Sequence, residues 1–238
     1  MTDAAAFVAD VERALTLSAT PERATYEKGY SKSELRFIGA AMPAVRTECA
    51  RQHKRLKPVE RAELDLLTDA LWRSNCHELR SVAICLMVRC AELFGRKDLP
   101  RMQSMISESA GWAHVDWIAT DLLGAVYSKD ASIADKLRSW SKASDFWVRR
   151  ASMLALLDEA RGGNRKAFVL FSEFASTMVH EKEFFVRKAI GWILREVSKK
   201  QPEWTHQFLL QHRDLVSGLT LREGSKYLPP EMQDSLKK

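Results

Sequence analysis

The sequence is poor in the residues that punctuate a chain. Of its 238 residues only ten are glycine and seven proline, so turns are sparse and nothing resembles a long linker. Strand signals are missing as well: no stretch alternates apolar and polar residues between turn dipeptides. No apolar run reaches the length that spans a bilayer. The cysteines are few, Cys49, Cys76, Cys85 and Cys90, and none has metal-ligand spacing. Cys85 and Cys90 fall inside the apolar run VAICLMVRC, and buried free thiols in a reducing compartment are the expectation. The opening residues MTDAAAFVADVERAL hold acids where a secretion signal needs bases. The expected location is the cytoplasm, at the nucleoid in a prokaryote.

Chemical signatures are absent too. There is no glycine-rich phosphate loop, no HExxH and no nucleophile elbow, and the six histidines are scattered. Hydride transfer and nucleotide hydrolysis are thereby disfavoured, and neither cofactor nor metal is expected. His114 reads as structural or solvent-facing.

What is present is helix. The pattern predicts helices over 3–17 and 21–28, a break from Gly39 to Pro43, and a helix from Pro43 to about 54. Further helices follow over 58–74, 77–95, 98–108, 112–128, 131–142, 146–161, 164–181 and 184–200, with shorter ones before Pro229 and Pro230. An internal repeat is legible. Residues 145–151, DFWVRRA, and 183–189, EFFVRKA, match in type at an offset of 38 residues. Carried back once more, the offset aligns Ala113, Ala151 and Ala189, then Ile118, Leu156 and Leu194. A two-helix unit of this size is that of HEAT and armadillo repeats, which stack into solenoids. The expected fold is all-α: a helical-repeat solenoid of one domain, residues 1–238, with a concave basic surface.

The register places Trp112, Arg150 and Lys188 in one row and Asp116, Leu154 and Trp192 in the row one turn on, so these side chains would line a continuous surface. Basic residues gather twice. Residues 46–61 hold Arg46, Arg51, Lys54, Arg55, Lys57 and Arg61 against Glu48 and Glu60. Residues 182–200 hold six Lys or Arg against Glu183 and Glu196. The chain as a whole carries a formal +6. Clustered cations near indoles fit a phosphate backbone, although solvated helix faces give the same charge pattern. In the helix predicted from 184, Phe184, Phe185, Ala189, Ile193 and Val197 read as the buried stripe.

The segment FFVRKAIGWILREVSKKQPEW resembles the signature helix of AlkD-type DNA alkylpurine glycosylases, the HEAT-like DNA alkylation repair family. FIGAAMPAVR (37–46), Leu71-Trp72 before HELRSVAICLM, WAHVD (112–116), SDFWVRRA (144–151) and LREGSKYL resemble further elements of that family, in order along nearly the whole chain. The resemblance implies a catalytic carboxylate at Asp116, with Trp112 one turn before it, an active-site arginine at Arg150 and a second cleft indole at Trp192. It implies DNA contact at Tyr30, and with the basic rows it makes Arg46, Arg149, Arg187 and Lys188 candidate DNA-binding residues. The chain departs from the family at Ala41 and Met42, where some relatives carry polar residues. The implied activity is excision of N3- or N7-alkylated purines from double-stranded DNA in base excision repair, by a monomer with no membrane partner. A silent binder of branched or distorted DNA and a protein-interaction scaffold remain the alternatives. Retention of Asp116, Trp112, Arg150 and Trp192 separates the enzyme from the binder. Indoles among cations argue against the scaffold.

Overall fold

The computed structural model describes residues 3–237. Its α-helices are, in chain order, α1 (Ala4–Thr16), α2 (Pro21–Ser31), α3 (Met42–Arg55), α4 (Arg61–Arg73), α5 (His77–Arg89), α6 (Leu99–Ser107), α7 (Trp112–Trp117) and α8 (Gly124–Lys129). There follow α9 (Ala134–Trp140), α10 (Phe146–Leu154), α11 (Leu157–Arg161), α12 (Arg165–Met178), α13 (Phe184–Ser198), α14 (Pro202–Gln211), α15 (Gly218–Gly224) and α16 (Pro230–Ser235). No strand occurs among the described residues; an isolated bridge joins Arg36 and Cys76. No helix among them is long and apolar enough to cross a membrane. All four cysteines are buried free thiols.

Several boundaries differ from the pattern. The helix expected over 112–128 is interrupted by a π-helical turn, Ile118–Leu123, which buries Ile118, Ala119, Leu122 and Leu123. One apolar stripe ran through both pieces, and periodicity does not register a single widened turn. The 146–161 segment breaks between Leu154 and Leu157, where Ala155 and Leu156 are buried. The 77–95 helix stops at Arg89 rather than at Gly95, and Pro58 lies ahead of α4 rather than in its first turn. Pro230 opens a helix instead of closing the run, because a proline at the first turn gives up no hydrogen bond.

The described residues form two compact units, one reaching to Lys97 and including Glu108–Trp117, the other made of Asp98–Ser107 and Ile118 onward. In the first unit α5 is the centre. Every residue from Glu78 to Met87 is buried, the mark of a helix covered on all sides, and α1, α3, α4 and α7 pack on it. The loop before α3 is tied to it. The Glu78 carboxylate accepts from the amides of Ile38 at 3.0 Å, Gly39 at 2.6 Å and Ala40 at 3.2 Å. Gly39 has φ +92°, and a Cβ there would lie 2.2 Å from the carbonyl oxygen of Thr20, so only glycine lets the two backbones approach.

In the second unit the centre is α13, against which α10, α11, α12, α14 and α15 pack. The 38-residue repeat is real between α10 and α13. Asp145 caps the first by accepting from the Trp147 amide, Glu183 caps the second by accepting from the Phe185 amide, and Val148, Ala151, Val186 and Ala189 are buried at matching positions. It does not carry to α7, which starts at Trp112, whereas the offset from Phe146 lands on Glu108. The stripe on α13 also differs from expectation. Phe184, at its first position, is 47% exposed. Val186, Ile190 and Leu194 join Ala189, Ile193 and Val197 on the inner face, because the core covers a wider arc than a single row of apolar residues.

Candidate functional site

In the first unit the site residues sit on α2 and α7. Trp112 and Asp116 lie one turn apart on α7 and are both half-buried. Tyr30 is 63% exposed. It meets Trp112 edge-on, with ring centroids 5.9 Å apart, and stacks on Tyr26 at 6.2 Å. Helix α2 buries no side chain at all; both its tyrosines face outward. The six residues of α7 are too few to hold a conformation alone. They are held from α4 and α5. Trp72 Nε1–H donates to Glu108 Oε2 at 2.7 Å, Arg80 donates to the Glu108 carbonyl at 3.0 Å, and the Arg80 guanidinium covers the Trp72 ring at 4.5 Å.

His114, between Trp112 and Asp116, is neither loose nor solvent-facing: it is 3% exposed. Its Nε2 lies 3.1 Å from Ser81 Oγ and 3.2 Å from the His77 carbonyl oxygen. Its ring stacks on that of His77 at 4.4 Å, and His77 stacks on Phe37 at 4.5 Å. Burial pushes His114 well below the ordinary histidine range, with His77 adding to the effect, and burial lowers His77 as well.

In the second unit Arg150 and Trp192 lie on the packed pair α10 and α13. Arg150 is 2% exposed; it donates to the Phe185 carbonyl, and its guanidinium is 6.0 Å from the Phe185 ring centroid. Trp192 is half-buried. The glycine before it permits close packing, since a Cβ at Gly191 would lie 2.8 Å from Glu223 Cβ on α15. Arg149 is engaged by Glu181 at 2.8 and 3.0 Å and by the carbonyls of Ala143 and Ser144. Arg187 is half-buried. Lys188 is exposed, with its ammonium 5.7 Å from the Phe184 ring centroid. The expected continuous row is therefore broken at its middle repeat: Arg150 and Leu154 are buried, because equal register does not give equal exposure when neighbouring helices cover one repeat more than the next.

The two basic clusters are partly neutralised inside their own units. In 46–61, Arg51 pairs with Asp10 and Glu48, Arg55 with Asp10, and Arg61 with Asp65. Hydrogen bonds from Arg51 and Gln52 hold Asp10 at about 2. Arg46, Lys54 and Lys57 remain exposed. In 182–200, Arg195 pairs with Glu223 and Glu196, and Lys199 with Glu196, while Lys182, Lys188 and Lys200 are exposed.

Sequence reasoning missed Glu78, Glu108 and the His77–His114 stack. The two histidines are 37 residues apart, one short of the repeat offset, and that spacing is the one trace of their meeting.

A sequence profile described as DNA alkylation repair enzyme matches residues 11–228. A comparison with curated proteins gave no match. Among solved structures, the chain is similar to a predicted DNA alkylation repair enzyme from Enterococcus faecalis, with 25% identity, a TM-score of 0.80, and 90% of this chain and 98% of that one covered. It is also similar to AlkD2 from Streptococcus mutans, with 16% identity, a TM-score of 0.67, and coverage of 95% and 99%. Those neighbours share the all-α, AlkD-like helical-repeat fold. With the profile spanning nearly its whole length, the chain belongs to the DNA alkylation repair enzyme family.

Proposed function

We propose that the protein is a DNA glycosylase that hydrolyses the N-glycosidic bond of positively charged N3- or N7-alkylated purines in duplex DNA. The observation that carries this reading is the Trp112–Asp116 pair: an indole and a carboxylate one turn apart, each partly open to solvent, on a helix anchored from behind, in a member of a DNA alkylation repair family.

The chemistry suits those groups. An N3- or N7-alkylated purine is already cationic, so it leaves without a strong general acid. As the bond breaks, the sugar becomes oxocarbenium-like. In this reading the Asp116 carboxylate stabilises that cation and orients the attacking water, which adds to the anomeric carbon and loses a proton to solvent while the base departs neutral. Trp112, on the helix of Asp116, lies against the cationic nucleoside, at about 1–2 kcal/mol when desolvated, and Trp192 is assigned to the DNA from the second unit. Arg150 is assigned to a flanking phosphate, which its guanidinium reaches by turning out of its buried place against the Phe185 carbonyl. Tyr30, Arg46, Arg149, Arg187 and Lys188 are assigned to the DNA backbone. The lesion stays near the base stack instead of entering a deep pocket, and the protein acts as a monomer.

The test is base release from duplex DNA carrying N7-methylguanine. Wild type is expected to release the base, and Asp116→Asn to slow release about 100- to 1,000-fold. Equal release by both would remove Asp116 from the mechanism. No release by wild type, with tight binding to branched DNA, would establish a non-catalytic binder instead. Efficient removal of neutral hypoxanthine would sink the selection by charge.

A further inference from the structure

The segment bearing Trp112 and Asp116 has two anchors in its unit. One is Glu108, held by Trp72 and Arg80. The other is His114, which lies between the two site residues. The hydrogen bonds around His114 specify its protonation. The His77 carbonyl only accepts, so Nε2 must carry a proton to bond it. Ser81 Oγ–H donates to the same carbonyl at 2.9 Å, which leaves a lone pair on Oγ to accept from Nε2–H. Nε2–H is thus shared between two acceptors, while Nδ1 has no hydrogen-bond partner among the described residues. A second proton would go to Nδ1, in a buried site, against a stacked ring that is itself a base.

The charged groups around the pair come from several elements. From α5, Arg80 disfavours a cation at His114, while Glu78, engaged by the 38–40 amides, favours one at His77. From α2, Glu27 also favours a cation at His77. From α4 the Trp72 ring is tilted against His114 at 5.9 Å, and Glu108 is occupied by Trp72 and Arg80. The carboxylates thus act on His77 and the guanidinium on His114. Both rings line a cavity of about 10 Å³ beside Ser31 and Ser33, close to the smallest space that holds one water and so a route for a proton.

We propose that His114, stacked on His77, is a positioning residue for Trp112 and Asp116, and that this neutral imidazole pair is a proton-sensitive latch: protonation of the pair releases the segment and misaligns the carboxylate. The proposal rests on the reading of Asp116 as the catalytic carboxylate and adds its regulation. Each histidine is held below its unfolded value of 6.5. The unfolded or released state therefore binds more protons, and the latch weakens as pH falls below about 6.5. That window lies above the one in which an ordinary carboxylate protonates, at about 4.

The test measures single-turnover base release and DNA affinity from about pH 5 to 8, for wild type, His114→Ala, His114→Gln and His77→Phe. Glutamine places an amide N–H near the Nε2 position and cannot titrate; phenylalanine keeps a ring in the stack and removes its proton site. In His114→Ala the rate at neutral pH is expected to fall about 30- to 100-fold with affinity changed less than about threefold, as for a misplaced reacting group. His114→Gln should restore most of that rate and flatten the acid limb below pH ~6.5, and His77→Phe should move the limb. An acid limb in His114→Gln identical to wild type overturns the latch, as does a parallel loss of rate and affinity in His114→Ala. If the alanine variant does not fold, the other two variants decide. A second readout needs no catalysis: amide resonances of residues 112–117 should shift with the histidine resonances in wild type and stay fixed in His114→Gln. Shifting resonances without base release would leave the latch standing and remove the glycosylase reading. Base release with an unresponsive segment would do the reverse.

Discussion

Removing the Glu78 carboxylate tests how the first unit is tied together. The side chain is 1% exposed and receives three backbone amides, two on Oε1 from Gly39 and Ala40 and one on Oε2 from Ile38. Glu78→Ala leaves three donors without an acceptor where water has little access. Each orphaned buried group costs about 1–3 kcal/mol, with relief from no longer burying a carboxylate on the other side. The expected loss is about 3–5 kcal/mol, against a total stability of about 5–15 kcal/mol for a typical domain. Glu78→Gln keeps the shape and one oxygen. That oxygen can serve Gly39 and Ala40, while the new NH₂ faces the Ile38 amide, donor against donor, for about 2 kcal/mol. Urea unfolding of the three proteins gives the differences, and an unchanged m-value shows that they belong to the folded state. Hydrogen exchange at Ile38, Gly39 and Ala40 should accelerate in both variants before the rest of the unit responds. An alanine variant within about 1 kcal/mol of wild type would refute the reasoning, since it would mean that the amides find other acceptors.

Gly191→Ala should lower stability by about 1–3 kcal/mol in urea, although alanine is the better helix former by about 1 kcal/mol. The added Cβ would meet Glu223 Cβ at 2.8 Å, so α13 and α15 must separate; a rise in midpoint would contradict that packing. Asp10, lowered from 3.8 to about 2 chiefly by the Arg51 hydrogen bond, gives an acid-sensitive term. Between those two values the unfolded chain binds more protons than the folded one, so the contribution is complete above 3.8 and fades as pH falls towards 2. Asp10→Asn should lower the denaturation midpoint at neutral pH and flatten its decline across that window. A decline as steep as wild type would assign the acid sensitivity elsewhere.

How much of this could be read from the chain depended on the range of the interaction. Helix content, the break at Gly39 to Pro43, and the α10–α13 repeat came through because each rests on neighbours a few residues apart or on a short identity. Helix α13 is the centre of its unit, yet its first phenylalanine lies outside the core, because facing helices set the width of a buried arc. The Trp112–Asp116 pair was legible as an i, i+4 spacing. Its anchoring was not, because Glu108 answers to Trp72 thirty-six residues away and His114 to Ser81 thirty-three away.

Helix, repetition and a net positive charge were legible in the residues alone, and their ordered motifs carried the family resemblance. Those properties are local or additive, so they survive without coordinates. Packing set which cations pair with internal carboxylates, which of two equivalent repeat positions is buried, and that two scattered histidines meet face to face. Each of those depends on pairs of side chains brought together by packing, and no periodicity along the chain encodes a distance between them.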